Sequence, residues 1–212
     1  MVHSIGTTPI LGQYVEEAFV DGNPPEVKLQ GPLTDEMRDA TGLYWKHQYN
    51  IGYPVSAENV PTIWRWSSTV SVPDYYEPHG FPCVSSVIKE LVEEIEPGVH
   101  QFFPLRVKGR EGRPLTNRFL WVLCNRIASV DRNKTNLTLY KGHIWRSEYK
   151  VGNQRVKIDN SVLFFSNEIS SGFHFWRDKE ISRSPIFLSD DAARRLSEVR
   201  LGGLIIRPER SA

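Results

Sequence analysis

A chain of 212 residues with 40% hydrophobic and 24% charged residues is long enough for one sizeable core, and this composition excludes a disordered, collagen-like or coiled-coil main state. The formal charge of +1 supplies no overall field for nucleic acid or an anionic membrane, so either partner would need a local patch. Two cysteines, Cys83 and Cys124, are too few for a disulfide framework and read as small buried residues.

The first segment, "MVHSIGTTPILGQYVEEAFVDG", carries neither Lys nor Arg and only scattered apolar residues, so it lacks the charged and apolar regions of a secretory signal. No stretch approaches the roughly 18 apolar residues of a membrane span. A cytoplasmic protein with no membrane partner is expected, and the N-x-T acceptors at Asn133 and Asn136 then carry no meaning. Residues 1–80 are rich in Pro, Gly and aromatic residues, with short extended pieces such as "EVKLQ" and "LYWKHQYNIGYP". They read as a loop-rich region packed on a main domain of residues 81–212, the two forming one compact unit.

The first helical pattern is "SSVIKELVEEIEPG". Ile88, Leu91, Val92 and Ile95 fall on one face, Ser85 or Ser86 is placed to cap the start, and Pro97-Gly98 stops the helix. From Val99 onward "VHQFFPLRV", "RFLWVLC", "NLTLY", "QRVKI", "SVLFF" and "FHFWR" read as strands rich in aromatic and β-branched residues. "KGREGRP", with Lys108, Arg110 and Arg113, reads as a solvated hairpin turn rather than a nucleic-acid site. A second helix lies in "SDDAARRLSEVRLGG", capped by Ser189, with Asp190 and Asp191 in the first turn where the helix dipole favours negative charge. The fold class expected is α+β: a mainly antiparallel sheet, built largely from residues 99–177, carrying two short amphipathic helices.

The two helical segments align in register. Ser85 falls with Ser189, Val92 with Leu196, Ile95 with Val199, Gly98 with Gly202, Phe102 with Ile206 and Pro104 with Pro208. This suggests one strand–helix–strand unit used twice, against the plainer reading that any capped short helix before a strand looks like another. The charges differ, Glu90, Glu93, Glu94 and Glu96 in one against Arg194, Arg195 and Arg200 in the other, so the exposed faces of the two copies cannot serve one partner.

Motifs of chemistry are sparse. The histidines His3, His47, His79, His100, His143 and His174 are scattered, with no spacing suited to a metal, and no glycine-rich phosphate cradle occurs. No metal and no cofactor is expected. Cys124 ends an apolar strand, where a thiol is usually inert. The "DD" and "EE" pairs have structural explanations in a first turn and a solvated helix face.

Residues 81–131 and 172–208 carry a pattern: a serine-capped helix, a Gly, a His-x-Phe-x-Pro strand, a hairpin and a strand ending near Asp131, then an aromatic-Arg strand, a helix and a Leu-x-Gly finish before a proline. This resembles immunity family eleven of bacterial polymorphic toxin systems, formerly a domain of unknown function. The family's places are filled here by His100, Phe102, Pro104, Asp131, Trp176, Arg177, Ser189, Leu201, Gly203 and Pro208. The resemblance implies a small cytoplasmic protein that binds the C-terminal domain of a cognate toxin and blocks it. It carries over no catalytic residue.

His100 shares a strand face with Phe102 and Pro104, and Leu204 stands at its place in the second copy, so it reads as a packing residue whose ring nitrogens bond to backbone. Two function classes follow. The first is a toxin-neutralising binding protein, whose candidate interface is the acidic helix face of Glu90, Glu93 and Glu94, offering carboxylates where a nuclease toxin expects phosphates, with the aromatic segment of Trp64, Trp66, Tyr75 and Tyr76 beside it. The second is an enzyme or small-molecule binder with a site assembled from distant residues such as His174, Arg177 and Asp178. Direct nucleic-acid binding is not expected, and the sequence leaves the oligomeric state open.

Overall fold

The computed structural model describes residues 1–8, 17–37, 48–140, 144–146, 148–151, 154–157, 162–181 and 184–211. The strands are β1 (Val2–Thr7), β2 (Glu17–Phe19), β3 (Ile63–Trp66), β4 (Tyr75–Tyr76), β5 (Cys83–Val84), β6 (Gln101–Lys108), β7 (Pro114–Val122), β8 (Arg126–Ile127), β9 (Thr138–Tyr140), β10 (Ile144–Arg146), β11 (Glu148–Val151), β12 (Gln154–Lys157), β13 (Phe175–Asp178), β14 (Phe187–Ser189) and β15 (Leu204–Glu209); the helices are α1 (Ser86–Ile95), α2 (Asn167–Ser170) and α3 (Asp190–Ser197). One sheet has the order β2-β3-β6-β7-β5-β4 and a second the order β15-β1-β14-β13-β8, while β9-β10 and β11-β12 are two-stranded ribbons. Pairing is antiparallel except for β3 with β6 and β8 with β13. The α+β class with mainly antiparallel sheets stands.

Local chemistry explains the helices. In α1 the buried Ile88 and Val92, flanked by Leu91 and Ile95, form the stripe that meets the core, and Gly98 at φ +70° turns the chain out. In α3 the hydroxyl oxygen of Ser189 accepts from the Ala192 N–H at 3.2 Å and caps the helix, while Ala192, Ala193 and Leu196 are buried. Ser85 stands at the start of α1 but its hydroxyl makes no capping bond.

The expectation of one sheet from residues 99–177 is corrected: there are two, and they recruit residues 2–7, 63–84 and 187–209. β1, drawn from a stretch that showed no strand pattern, is paired on both sides, to β14 and β15. "SVLFF" also departs from expectation. Among its described residues only Phe165 pairs, through isolated bridges to Val130 and Ser211. In "LYWKHQYNIGYP" residues 43–47 lie outside the described residues, and Gln48–Asn50 is a single 3-10 turn.

Four strands and a helix occur twice with the same register. β6-β7-β5-β4 with α1 corresponds to β15-β1-β14-β13 with α3. In the first unit Phe102 lies opposite Trp121, Pro104 opposite Phe119, Val84 opposite Phe119 and Tyr75 opposite Val84. In the second, Ile206 lies opposite Ile5, Pro208 opposite His3, Leu188 opposite His3 and Phe175 opposite Leu188. β15 and β14 follow β6 and β5 with the offset already seen between Ser85 and Ser189, whereas β13 follows β4 with a spacing four residues shorter, Tyr75 to Phe175, and β1 precedes β7, Ile5 standing for Trp121. The loop hydrogen bonds repeat as well: Ser85 N–H to Asp74 O at 2.8 Å against Ser189 N–H to His174 O at 3.0 Å, and Trp121 N–H to Pro82 O at 2.8 Å against Ile5 N–H to Ile186 O at 2.9 Å. The central strand follows the helix in the first unit and is taken from the start of the chain in the second.

The two units share one core. Ile5 and Trp121, Val84 and Leu188, Ile88 and Ala192, and Val92 and Leu196 are corresponding pairs, and all eight are buried in it together with Tyr75 and Phe175. A second cluster lies on the other face of the six-stranded sheet, where Val27, Leu29, Tyr49, Val55, Trp64 and Trp66 pack with Leu105, Val107, Leu120 and Val122. A third joins Val2, Val130, Phe165, Trp176 and Phe187.

Candidate functional site

His100 sits between α1 and β6 with a side chain 1% exposed, against Glu96, whose side chain is 7% exposed. Its Nδ1 accepts from the Cys124 N–H at 3.1 Å, which leaves the proton on Nε2, and Nε2–H donates to Glu96 Oε2 at 2.7 Å. The ring edges meet Trp121 and Phe175 at centroid distances of 5.9 and 6.0 Å. Glu96 is the hub: Oε1 accepts from the His174 N–H at 2.6 Å, and Asn125 Nδ2 donates to the same carboxylate at 3.2 Å while also donating to Phe175 O at 2.9 Å. The network ties the end of the first unit's helix to β13 of the second. His100 therefore packs, with one nitrogen on backbone as expected and the other on a carboxylate that strand alternation gave no reason to choose. All its bonding capacity is used internally.

His174, Arg177 and Asp178 each serve different partners. His174 Nδ1 lies 2.9 Å from Ser189 Oγ. Arg177 is buried, donating to Ser184 O and, at 2.9 Å, to Asn50 Oδ1. Asp178 accepts from Ser129 N–H and Oγ–H at 2.6 and 2.8 Å and from Glu180 N–H at 2.7 Å. Burial pushes its carboxyl up, opposed by the Ser129 and Glu180 donors. Trp176 Nε1–H donates to the same Ser129 hydroxyl at 3.0 Å, so this part of the family pattern is a buried polar brace. Burial also pushes the Cys124 thiol up to about 11, which removes its nucleophilic form near neutral pH. Among the described residues no group of His, Cys, Asp or Glu is arranged to hold a metal ion, and no helix is long and apolar enough to cross a membrane.

The expected interface residues separate. Trp64 and Tyr75 are 0% exposed and Trp66 is 1% exposed, and Trp64 stacks on the partly buried Tyr76 at 5.8 Å. Trp66 Nε1–H holds the following loop through Val70 O at 2.8 Å. The aromatic segment as an interface is thus corrected. Three of its four side chains offer no surface, because the strand pattern that exposes Arg65 turns Trp64 and Trp66 inward. On α1, Glu93 is held by Lys89 and Glu94 by Arg195 of α3, while Glu90 is exposed and makes no ion pair among the described residues. Of the remaining family positions, Pro104 is exposed, and Gly203 adopts φ +85° with an added Cβ placed 2.4 Å from Tyr75 O.

A cleft of about 760 Å³ opens between the loop after β3 and the β6–β7 hairpin, lined by Ser67–Val72 and by Arg110, Glu111, Arg113, Thr116 and Arg118. It contains no His or Cys. Arg118 is spent on Val72 O and Pro73 O at 2.8 and 3.0 Å. Glu111 is the one carboxylate among the described residues of its lining.

The arrangement is thus a duplicated α+β scaffold whose polar interior is structural. The chain matches the Immunity protein family (Imm11) over residues 23–208 and belongs to that family. No curated protein matches it.

Proposed function

We propose that this protein neutralises a cognate bacterial toxin by binding the toxin's C-terminal domain and occluding it, in the cytoplasm, with no catalysis of its own. The observation that carries the reading is the family match over residues 23–208, which spans the first repeated unit, the segment between the units and the second unit apart from β1 and the last residue of β15. The geometry supports it. His100, Glu96, Arg177 and Asp178, the groups that chemistry would use, are bonded inside the fold. Inhibition by occlusion needs only a rigid surface, and two sheets and two helices sharing one core supply it.

The test is co-expression with a toxin domain encoded beside this gene. The expected result is a stable complex on gel filtration together with restored growth. Growth that stays blocked, with no complex formed, would sink the proposal. Protection without a stable complex, accompanied by chemical change in the toxin or its product, would favour the enzyme reading instead.

A further inference from the structure

The open part of one face of the six-stranded sheet carries a row of unpaired cations. Along β6, Leu105 and Val107 point into the core while Arg106 and Lys108 point to the other side. The parallel partner β3 sets Ile63 beside Arg106 and Arg65 beside Lys108, and β7 sets Asn117 opposite Arg106. Helix α1 covers the far end of this face over Phe102 and Phe119, whose rings lie 5.6 and 5.4 Å from Lys89 Nζ. Beyond it Arg65, Pro104, Arg106 and Asn117 are exposed, and the exposed hairpin tip adds Arg110 and Arg113 with Glu111 between them, a net positive charge.

Like charges on neighbouring strands repel, and several cations elsewhere have carboxylate partners, Lys89 with Glu93, Arg132 with Glu180, Arg194 with Asp191 and Glu198, and Arg195 with Glu94; what sets this face apart is that its cations without such partners stand side by side on paired strands. Among the described residues no carboxylate pairs with Arg65, Arg106, Lys108, Arg110 or Arg113. We infer that this face is the docking surface, and that its occupant is an acidic protein surface on the toxin domain; the inference rests on the immunity reading above. A protein fits better than a nucleic acid. Single-stranded nucleic acid is held by exposed aromatic rings interleaved with cations, whereas Trp64 and Trp66 point away from this face and are buried. What lies between the cations is Ile63 and Pro104, the mixture of arginine and apolar groups found in protein interfaces.

The experiment measures association of the co-expressed, purified toxin domain with the intact chain and with Arg65→Glu/Arg106→Glu/Lys108→Glu, at low and high salt. Glu168→Lys, exposed on α2 and far along the chain from β3 and β6, serves as the control. The triple variant is expected to associate at least about tenfold more slowly at low salt, with most of the difference lost at high salt and the control unchanged, since such charges act through steering. Equal rates for the triple variant and the natural chain overturn this inference alone; no binding by the natural chain overturns the immunity reading and this one with it. Tight, salt-sensitive binding of a DNA or RNA oligonucleotide that the triple variant loses, with toxin binding intact, assigns the face to nucleic acid and also overturns the inference. If the triple variant does not fold, Arg106→Gln and hydrogen exchange on the natural complex replace it. Protection must then appear in residues 101–118, and its absence there is equally decisive.

Discussion

The two repeated units close against each other in opposite ways. Where α3 runs into β15, the loop meets the start of β4: Gly202 N–H donates to Asp74 Oδ2 at 2.8 Å, and Gly202 O accepts from the N–H groups of Asp74 and Tyr75 at 2.8 and 3.1 Å. Where α1 runs into β6, the corresponding strand start is His174–Phe175, and there a side chain does the work: the Glu96 carboxylate accepts the His174 N–H and is held by His100 and Asn125. Arg200 and Leu204 stand at the places of Glu96 and His100 in the second unit. One scaffold thus has two solutions, backbone contact that demands glycine and a buried carboxylate that demands several donors. The first unit alone is extended outward by β3 and β2, and that addition creates the basic face.

The largest effect is expected from Glu96→Ala. It leaves the His174 N–H and the His100 Nε2–H buried without an acceptor, and each buried donor left unpaired costs about 1–3 kcal/mol. Urea unfolding should show the loss, and a change under 1 kcal/mol would mean that water enters and replaces the carboxylate. Gly203→Ala comes next. The left-handed conformation and the approach to Tyr75 O together cost about 3 kcal/mol, whereas Gly98→Ala, at φ +70° with nothing within 4 Å of the added carbon, costs only about 1 kcal/mol. Equal melting temperatures for the two glycine variants would refute the contrast between the closures.

His100→Gln is expected to cost roughly 1–2 kcal/mol while toxin binding by the folded protein is unchanged. Lost binding at an unchanged melting temperature would return His100 to the functional site. Smallest is the reversal of Glu90, Glu93 and Glu94 to Lys. These side chains are on a solvated face and their pairs with Lys89 and Arg195 are partly exposed, so the cost stays near 1 kcal/mol or below. Slowed toxin association in this variant, as against the basic-face variant, would move the interface to α1.

What the amino-acid sequence determined by itself is what depends on near neighbours. The apolar spacing of Ile88, Val92 and Ile95, the capping Ser189 and the stop at Gly98 act within a few residues, and so the two helices, the β6–β7 hairpin and the likeness of the two units were legible. The family pattern was legible for the same reason. The pairing of strands was not, because a sheet joins residues regardless of their separation in the chain: Val2–Thr7 becomes a central strand only once β14 and β15 flank it, and neither partner is signalled near the N-terminus. Burial followed pairing. Trp64 and Trp66 read as surface aromatics until β3 was set beside β6, which turned them into the core and brought Arg65 into line with Lys108. Glu96 read as one more solvated glutamate because its donors, His174 and Asn125, come from distant parts of the chain. Only the tertiary structure decided which carboxylate is buried and which cations stand unpaired, since burial and pairing belong to neighbours that the fold supplies.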